Sequence, residues 1–160
     1  MGTNTKTSPR SLFRSLAFAE GVTWTLLILG LIGKQFWAWP QTLVTVIGGV
    51  HGAVFLGYGV IAALVGVNQR WSLGKIVLAT ALAIIPYATI PFELSVDKKN
   101  QLAGHWRKTH EGHELDDHWF DRLYRWFINR PVLLAAALTL VVAAIFATLL
   151  LIGPPGGWQN

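Results

Sequence analysis

"LAFAEGVTWTLLILGLIG", residues 16–33, is long and apolar enough to cross a bilayer, yet it contains a carboxylate at Glu20. A hydrocarbon core about 30 Å thick needs about 20 mostly apolar residues of helix. Four stretches meet that requirement: Leu12 to Gly33, Thr42 to Gly66, Ser72 to Phe92 and Val132 to Ile152. The last, "VLLAAALTLVVAAIFATLLLI", holds no charge and is bounded by Pro131 and by Gly153-Pro154-Pro155. The small-residue triplet "AFA" at 17–19 precedes the first apolar run, where a signal-peptide cleavage site would follow it, so the first span is expected to be retained.

The connections set the order of packing. "KQFWAWPQ" and "VNQRW" are short and make successive spans antiparallel neighbours, with Trp37 and Trp39 placed for the headgroup layer. Glu93 to Pro131 is long and is the one segment able to form an extramembrane element. Within it Leu115, Trp119, Leu123 and Trp126 recur at helical spacing opposite acids and arginines, which predicts an amphipathic helix lying in the interface. The expected fold is therefore all-α and polytopic, with four transmembrane helices in a small bundle and an interfacial helix before the last. Its divisions are a disordered tail over 1–10, a three-span core over 11–95, a connection over 96–131, a fourth span over 132–153 and a tail over 154–160.

Composition agrees. Of 160 residues 52% are apolar and 13% charged, and the net charge of +5 is scattered over the ends and connections of apolar segments. That placement suits anionic lipid headgroups and argues against nucleic acid, which needs a continuous cationic face. With no cysteine there is no disulfide framework and no thiolate metal site. If all four spans cross, Lys6, Arg10, Arg14, Arg70 and Lys75 share a side, opposite Lys34, Lys98, Lys99, Arg107, Lys108, Arg122, Arg125 and Arg130. Seven of those eight lie in the long connection, where the positive-inside rule loses force. The basic lead of the first span then sets the N-terminus, and with it the C-terminus, in the cytoplasm.

Inside the spans the polar residues stand out, because an ionisable group there costs about 2.5 to 3.5 kcal/mol on insertion scales and needs a partner. Counted from the first connection, Glu20 and His51 differ in depth by three residues, roughly 4.5 Å, so a carboxylate–imidazole bond between the first two spans is expected. Gly48 and Gly52, continued by Gly59, form the small-residue stripe that would let the helices approach. Lys75 is the rival partner for Glu20, or a snorkelling residue. Pro86 and Pro91 are expected to bend or end the third helix.

The succession "FRSLAFAEGVTW", a lysine after the first span, "GGVHGAVF", "RW" and "IIPYATIPFE" resembles the bacterial integral membrane proteins of the domain of unknown function 3817 family, over about residues 11–95. The resemblance implies a three-helix core with Glu20 and His51 as signature polar residues. It implies no activity, and it does not extend to the histidine-bearing connection or the fourth span.

That connection, "HWRKTHEGHELDDHWFD", poses the question of metal: His110, His113, His118 and Asp117 are the candidate ligands, with His113 and Asp117 on one helical face. "HEGHE" spaces its histidines by three rather than the four of a zinc-protease helix, and Gly112 interrupts the helix, so a solvated charged connection is the expectation and no cofactor is assigned. The leading functional expectation is a non-catalytic accessory or scaffold subunit of a larger membrane complex, respiratory or of the cell envelope, in the bacterial plasma membrane. Its partners would be the lipid bilayer and other membrane subunits. The alternatives are an oligomeric proton-coupled transporter with Glu20 as the titrating carboxylate, and a metal-dependent membrane enzyme, for which a nucleophile and a defined ligand set are missing.

Overall fold

The computed structural model describes residues 8–110, 112, 117 and 119–152, and every regular element among them is a helix. They fall into two compact units, one ending at His105 and the other beginning at Trp106. In the first, Ser8 caps α1 (Pro9–Trp37): its hydroxyl oxygen accepts the Ser11 N–H at 3.0 Å, and Pro9 fills the first turn, where no donor is needed. The helix ends at Ala38 in the left-handed region, φ 50°, and the chain reverses so tightly that the Trp39 ring lies on Gly33. A Cβ there would sit 2.3 Å from the ring, so this reversal requires glycine. α2 (Gln41–Asn68) then runs back antiparallel to α1. Both helices rise about 40 Å, enough to cross with tilt.

The third segment departs from expectation. α3 (Leu73–Ala81) passes into a 3₁₀ turn over Leu82–Ile84, breaks, and restarts as α4 (Thr89–Lys98). Pro86 is the cause. It has no N–H to give the Leu82 carbonyl, which accepts from Ile85 instead at 3.1 Å, and Ile85, preceding a proline, is extended at φ −100°, ψ 120°. Tyr87 then adopts φ 65° and reverses the chain. Pro91 falls in the first turn of α4, where a missing donor costs nothing, so the second proline opens a helix.

The result is a hairpin that enters and leaves at one end of the core. Trp71 Nε1 donates to the Gln101 carbonyl at 3.2 Å, Gln69 Nε2 to the Ala103 carbonyl at 3.2 Å, and the Lys75 ammonium to the Gln101 side chain. At the same end, where α1 starts, Arg10 and Arg14 meet Asp97 near the end of α4. The tip reaches about halfway along α1, where Trp24 Nε1 donates to the Ala83 carbonyl at 3.1 Å and the hydroxyls of Thr25 and Tyr87 lie 3.3 Å apart. Phe13, Tyr58, Trp71 and Phe92 close the entry end as a ring cluster with centroids 5.6 to 6.4 Å apart. The stretch Ser72 to Phe92 is thus broken into a hairpin that returns to its own end of the core, where one continuous helix was expected. Among the described residues three helices, α1, α2 and α6, are long and apolar enough to cross, and the third of the four expected spans is represented by the shorter apolar helix Leu73–Ile84.

In the second unit α5 (Trp119–Ile128) is amphipathic as expected: Trp119, Leu123 and Trp126 are exposed, while Tyr124 and Ile128 are buried. Leu115 lies outside the described residues. Arg107 bonds Asp121 at 2.7 Å and lies over the Tyr124 ring, and Asn129 holds the Lys108 carbonyl at 2.7 Å. Two residues after α5, α6 (Pro131–Ile152) begins, apolar on all sides. Of the tail expected to be disordered over 1–10, Ser8 to Arg10 instead cap and open α1, while 1–7 and 153–160, which include the whole tail expected over 154–160, lie outside the described residues.

Because the chain has no cysteine, single cysteines at Ser11, Gln35 and Asn100 can be labelled in intact cells with an impermeant reagent. Ser11 and Asn100 are expected to behave alike and opposite to Gln35. A crossing third helix would instead pair Asn100 with Gln35.

Candidate functional site

The hairpin lays α4 along the first half of α1, and this brings polar residues together inside the core. Glu20 on α1 and Thr89 and Glu93 on α4 are all fully buried. Thr89 and Glu93 are one turn apart on the α4 face that meets α1. The Thr89 hydroxyl lies 3.3 Å from the Ala17 carbonyl oxygen and 3.4 Å from Glu20 Oε2. One turn nearer the entry end, Glu93 Oε1 accepts from Arg14 Nε at 2.9 Å, and Arg14 Nη2 reaches Asp97 Oδ2 at 2.8 Å. Arg10 completes the line on Asp97, with its Nε 2.6 Å from Oδ1. From α2 the Tyr58 ring lies within electrostatic reach of both Glu20 and Glu93, its hydroxyl donating to the Ala79 carbonyl at 3.2 Å. Glu20 Oε1 and Glu93 Oε2 are buried without a hydrogen-bond partner among the described residues.

Glu20 and His51 sit on opposite sides of one threonine. His51 Nδ1 is 3.1 Å from Thr23 Oγ1, and Thr23 donates to the Glu20 backbone carbonyl at 3.0 Å. The expected carboxylate–imidazole bond is therefore replaced by Thr23–His51 toward α2 and Glu20–Thr89 toward α4. Three residues of helix turn Glu20 and Thr23 about 60° apart, so they face different neighbours. Thr23 has one proton to give. When the Glu20 carbonyl takes it, Nδ1 of a neutral His51 carries the ring proton. The ring also packs against Trp24, centroids 4.6 Å apart, and Phe55.

The glycine stripe plays a smaller part than its spacing suggests. A Cβ at Gly48 would meet Leu27 at 4.0 Å and one at Gly59 would meet Thr80 at 3.4 Å, both ordinary contacts, and Gly52 is half-buried. The tight approaches are at Gly33, at Gly66, where a Cβ would fall 2.6 Å from Ile76, and at Gly21, where one would fall 2.8 Å from Ile90. Lys75 points to the entry end, over the Trp71 ring, and does not meet Glu20. Of the metal candidates, His110 and Asp117 are exposed and 3.4 Å apart. His113 and His118 lie outside the described residues, and no group of three metal-capable side chains gathers among the described ones.

Thr89, Glu93 and Arg14 were not singled out in the sequence. Their signal was available: "TIPFELSVD" holds Thr89, Glu93 and Asp97 at four-residue intervals, and Arg10 and Arg14 repeat that spacing on α1. Two matched polar ladders in apolar surroundings point to two helices packed side by side.

Helices long and apolar enough to cross a bilayer, one of them packed on α4 through a buried polar ladder, define an integral membrane protein whose third element is a hairpin. The model of the domain of unknown function DUF3817 matches residues 10–98, more than half of the chain, and the protein belongs to that family. Two bacterial relatives carry membrane-protein names. A Bacillus subtilis protein, "Uncharacterized membrane protein YdzA", is 24% identical over 86 residues, which are 54% of this chain and 90% of YdzA. A Streptomyces coelicolor protein named "Putative membrane protein SCO5905" is 31% identical over 91 residues, 56% of this chain but 11% of SCO5905, so the chain spans about a tenth of that longer relative. No solved structure matches.

Two measurements follow from the geometry. In double-mutant cycles of stability in one detergent, Thr23→Val with His51→Ala and Glu20→Ala with Thr89→Val should each show coupling of about 0.6 kcal/mol, up to about 1.7. Glu20→Ala with His51→Ala should be more nearly additive than either.

The second concerns acid. Hydrogen bonds from Arg10, reinforced by the charges of Arg10 and Arg14, hold the Asp97 carboxyl below its usual range. Its stabilisation is complete above the unfolded value of about 4 and is lost as pH falls through the depressed folded value. Asp97→Asn should remove that part of the acid sensitivity in a thermal-melt series.

Proposed function

We propose that the protein is a non-catalytic accessory or scaffold subunit of a larger assembly in the bacterial cell membrane. The observation that carries this reading is the contrast between its two units. In the first, the buried polar side chains are tied largely to one another across α1, α2 and α4. The second contributes an apolar helix of 22 residues, α6, in which no described residue is buried. A helix apolar all round needs lipid or other membrane helices as its surroundings. The relatives support a modular role, since a core like this forms nearly all of YdzA and about a tenth of SCO5905.

The orientation belongs to the same proposal. With the hairpin re-entrant, Arg10, Arg14, Arg70, Lys75, Lys98 and Lys99 gather at one end of the core, against Lys34 at the other. The positive-inside rule then puts the entry end in the cytoplasm.

Gentle extraction of the full chain from its own membranes should yield a stoichiometric membrane partner. Replacing the α6 side chains by leucine should keep membrane insertion and lose that partner. Recovery of a homogeneous 17.6 kDa protein, alone or as a homo-oligomer, contradicts the reading.

A further inference from the structure

The hydroxyl of Thr89 stands between two oxygens, the Ala17 carbonyl and Glu20 Oε2, at 3.3 and 3.4 Å. A hydroxyl has one proton, and an ionised carboxylate has none to offer. With Glu20 ionised, one of the two contacts is a bare approach of oxygens. With Glu20 neutral, its carboxyl O–H donates to Thr89 Oγ1 while Thr89 donates to Ala17, and both contacts become hydrogen bonds.

The surroundings point the same way. Glu20 is fully buried, its Oε1 has no partner among the described residues, and no cation among them lies within ion-pair distance of it. A lone carboxylate so placed would bear the full cost of desolvation, whereas the carbonyl oxygen of a neutral acid tolerates an unmade bond far better. Arg14, a turn and a half earlier on α1, is occupied by Glu93 and Asp97, and Arg10 by Asp97. The other titratable groups that α2 and α4 bring to this region are Tyr58, His51 and Glu93. Tyr58 spends its proton on the Ala79 carbonyl, and His51 is turned to Thr23.

We infer that Glu20 holds a proton at neutral pH, so that the junction of α1, α2 and α4 is a proton-binding site within the membrane. The neighbouring carboxyl groups differ in their partners: Glu20 meets the Thr89 hydroxyl, whereas Glu93 lies on the Arg14 guanidinium. Thr89, Glu93, Arg14 and Asp97 form a polar line from the site to the entry end of the core, and the unpartnered Glu93 Oε2 lies one α4 turn from Thr89 on that line. This inference is independent of the accessory-subunit reading, because it concerns what the core binds and not what surrounds it.

Infrared spectroscopy of the full chain in lipid vesicles tests it. The expected result at neutral pH is a carbonyl stretching band of a protonated carboxyl, resolved from the carboxylate bands, shifted by deuterium exchange and worth about one group per chain on a count of Glu20 alone. The band should vanish in Glu20→Gln, persist in Glu93→Gln, and move in frequency in Thr89→Val, which removes its hydrogen-bond partner. A wild-type chain without the band overturns the inference, as does a band that survives Glu20→Gln. If Glu20→Gln does not fold, Glu20→Asp and Thr89→Val decide: a band unmoved by both belongs to another group.

Discussion

The indole N–H of Trp24 on the Ala83 carbonyl is the contact on which the architecture turns. Lipid offers no hydrogen bonds, so a helix can break inside the bilayer only where protein satisfies the backbone groups released. Pro86 forces such a break, and α1 answers it: Trp24 takes the Ala83 carbonyl, and Thr25 meets the hydroxyl of the reversed Tyr87. Tyr58 of α2 takes the Ala79 carbonyl one turn earlier. With these groups covered, the chain can turn back at mid-depth, and α4 is laid against the first half of α1. The burial of Glu20, Thr89 and Glu93 and the ion pairs at the entry end all follow from that placement.

The parts of this fold that are periodic are plain in the sequence. The first two spans, the last span and the amphipathic face of α5 stand where hydropathy and spacing put them. The hairpin was obscured because its two halves together are as long and apolar as a crossing helix, and a window of hydropathy is indifferent to direction. The prolines carried the missing information. Ile85 before Pro86 is barred from helix, and Pro91 five residues on suits a helix start, so the pair marks an end followed by a beginning. Once the segment was taken as a crossing, Asp97 and Arg10 stood on opposite sides, and their ladder could not be seen as one interaction.

Glu20 and His51 were legible as the buried polar residues, and both are buried. Their partners were not. Depth along a helix can be counted from a tight turn, but rotation about its axis decides which neighbour a side chain meets, and the difference between Glu20 and Thr23 is a fraction of a turn. The glycines misled for a related reason. Spacing shows that Gly48, Gly52 and Gly59 lie on one side of α2, but the close approaches come at Gly33 and Gly66, beside chain reversals, and at Gly21, under Ile90 of α4, where large rings and branched side chains fold onto the helix.

The central claim is that the third element returns to the end at which it entered. Spin labels on cysteine pairs in the full chain in lipid nanodiscs measure this directly, at Ser11 with Lys98 and at Gln35 with Lys98. The account predicts that the Ser11–Lys98 distance is the shorter of the two, because both positions lie at the entry end while Gln35 is across the hydrocarbon core. A shorter Gln35–Lys98 distance would mean that the segment crosses, and would contradict the account.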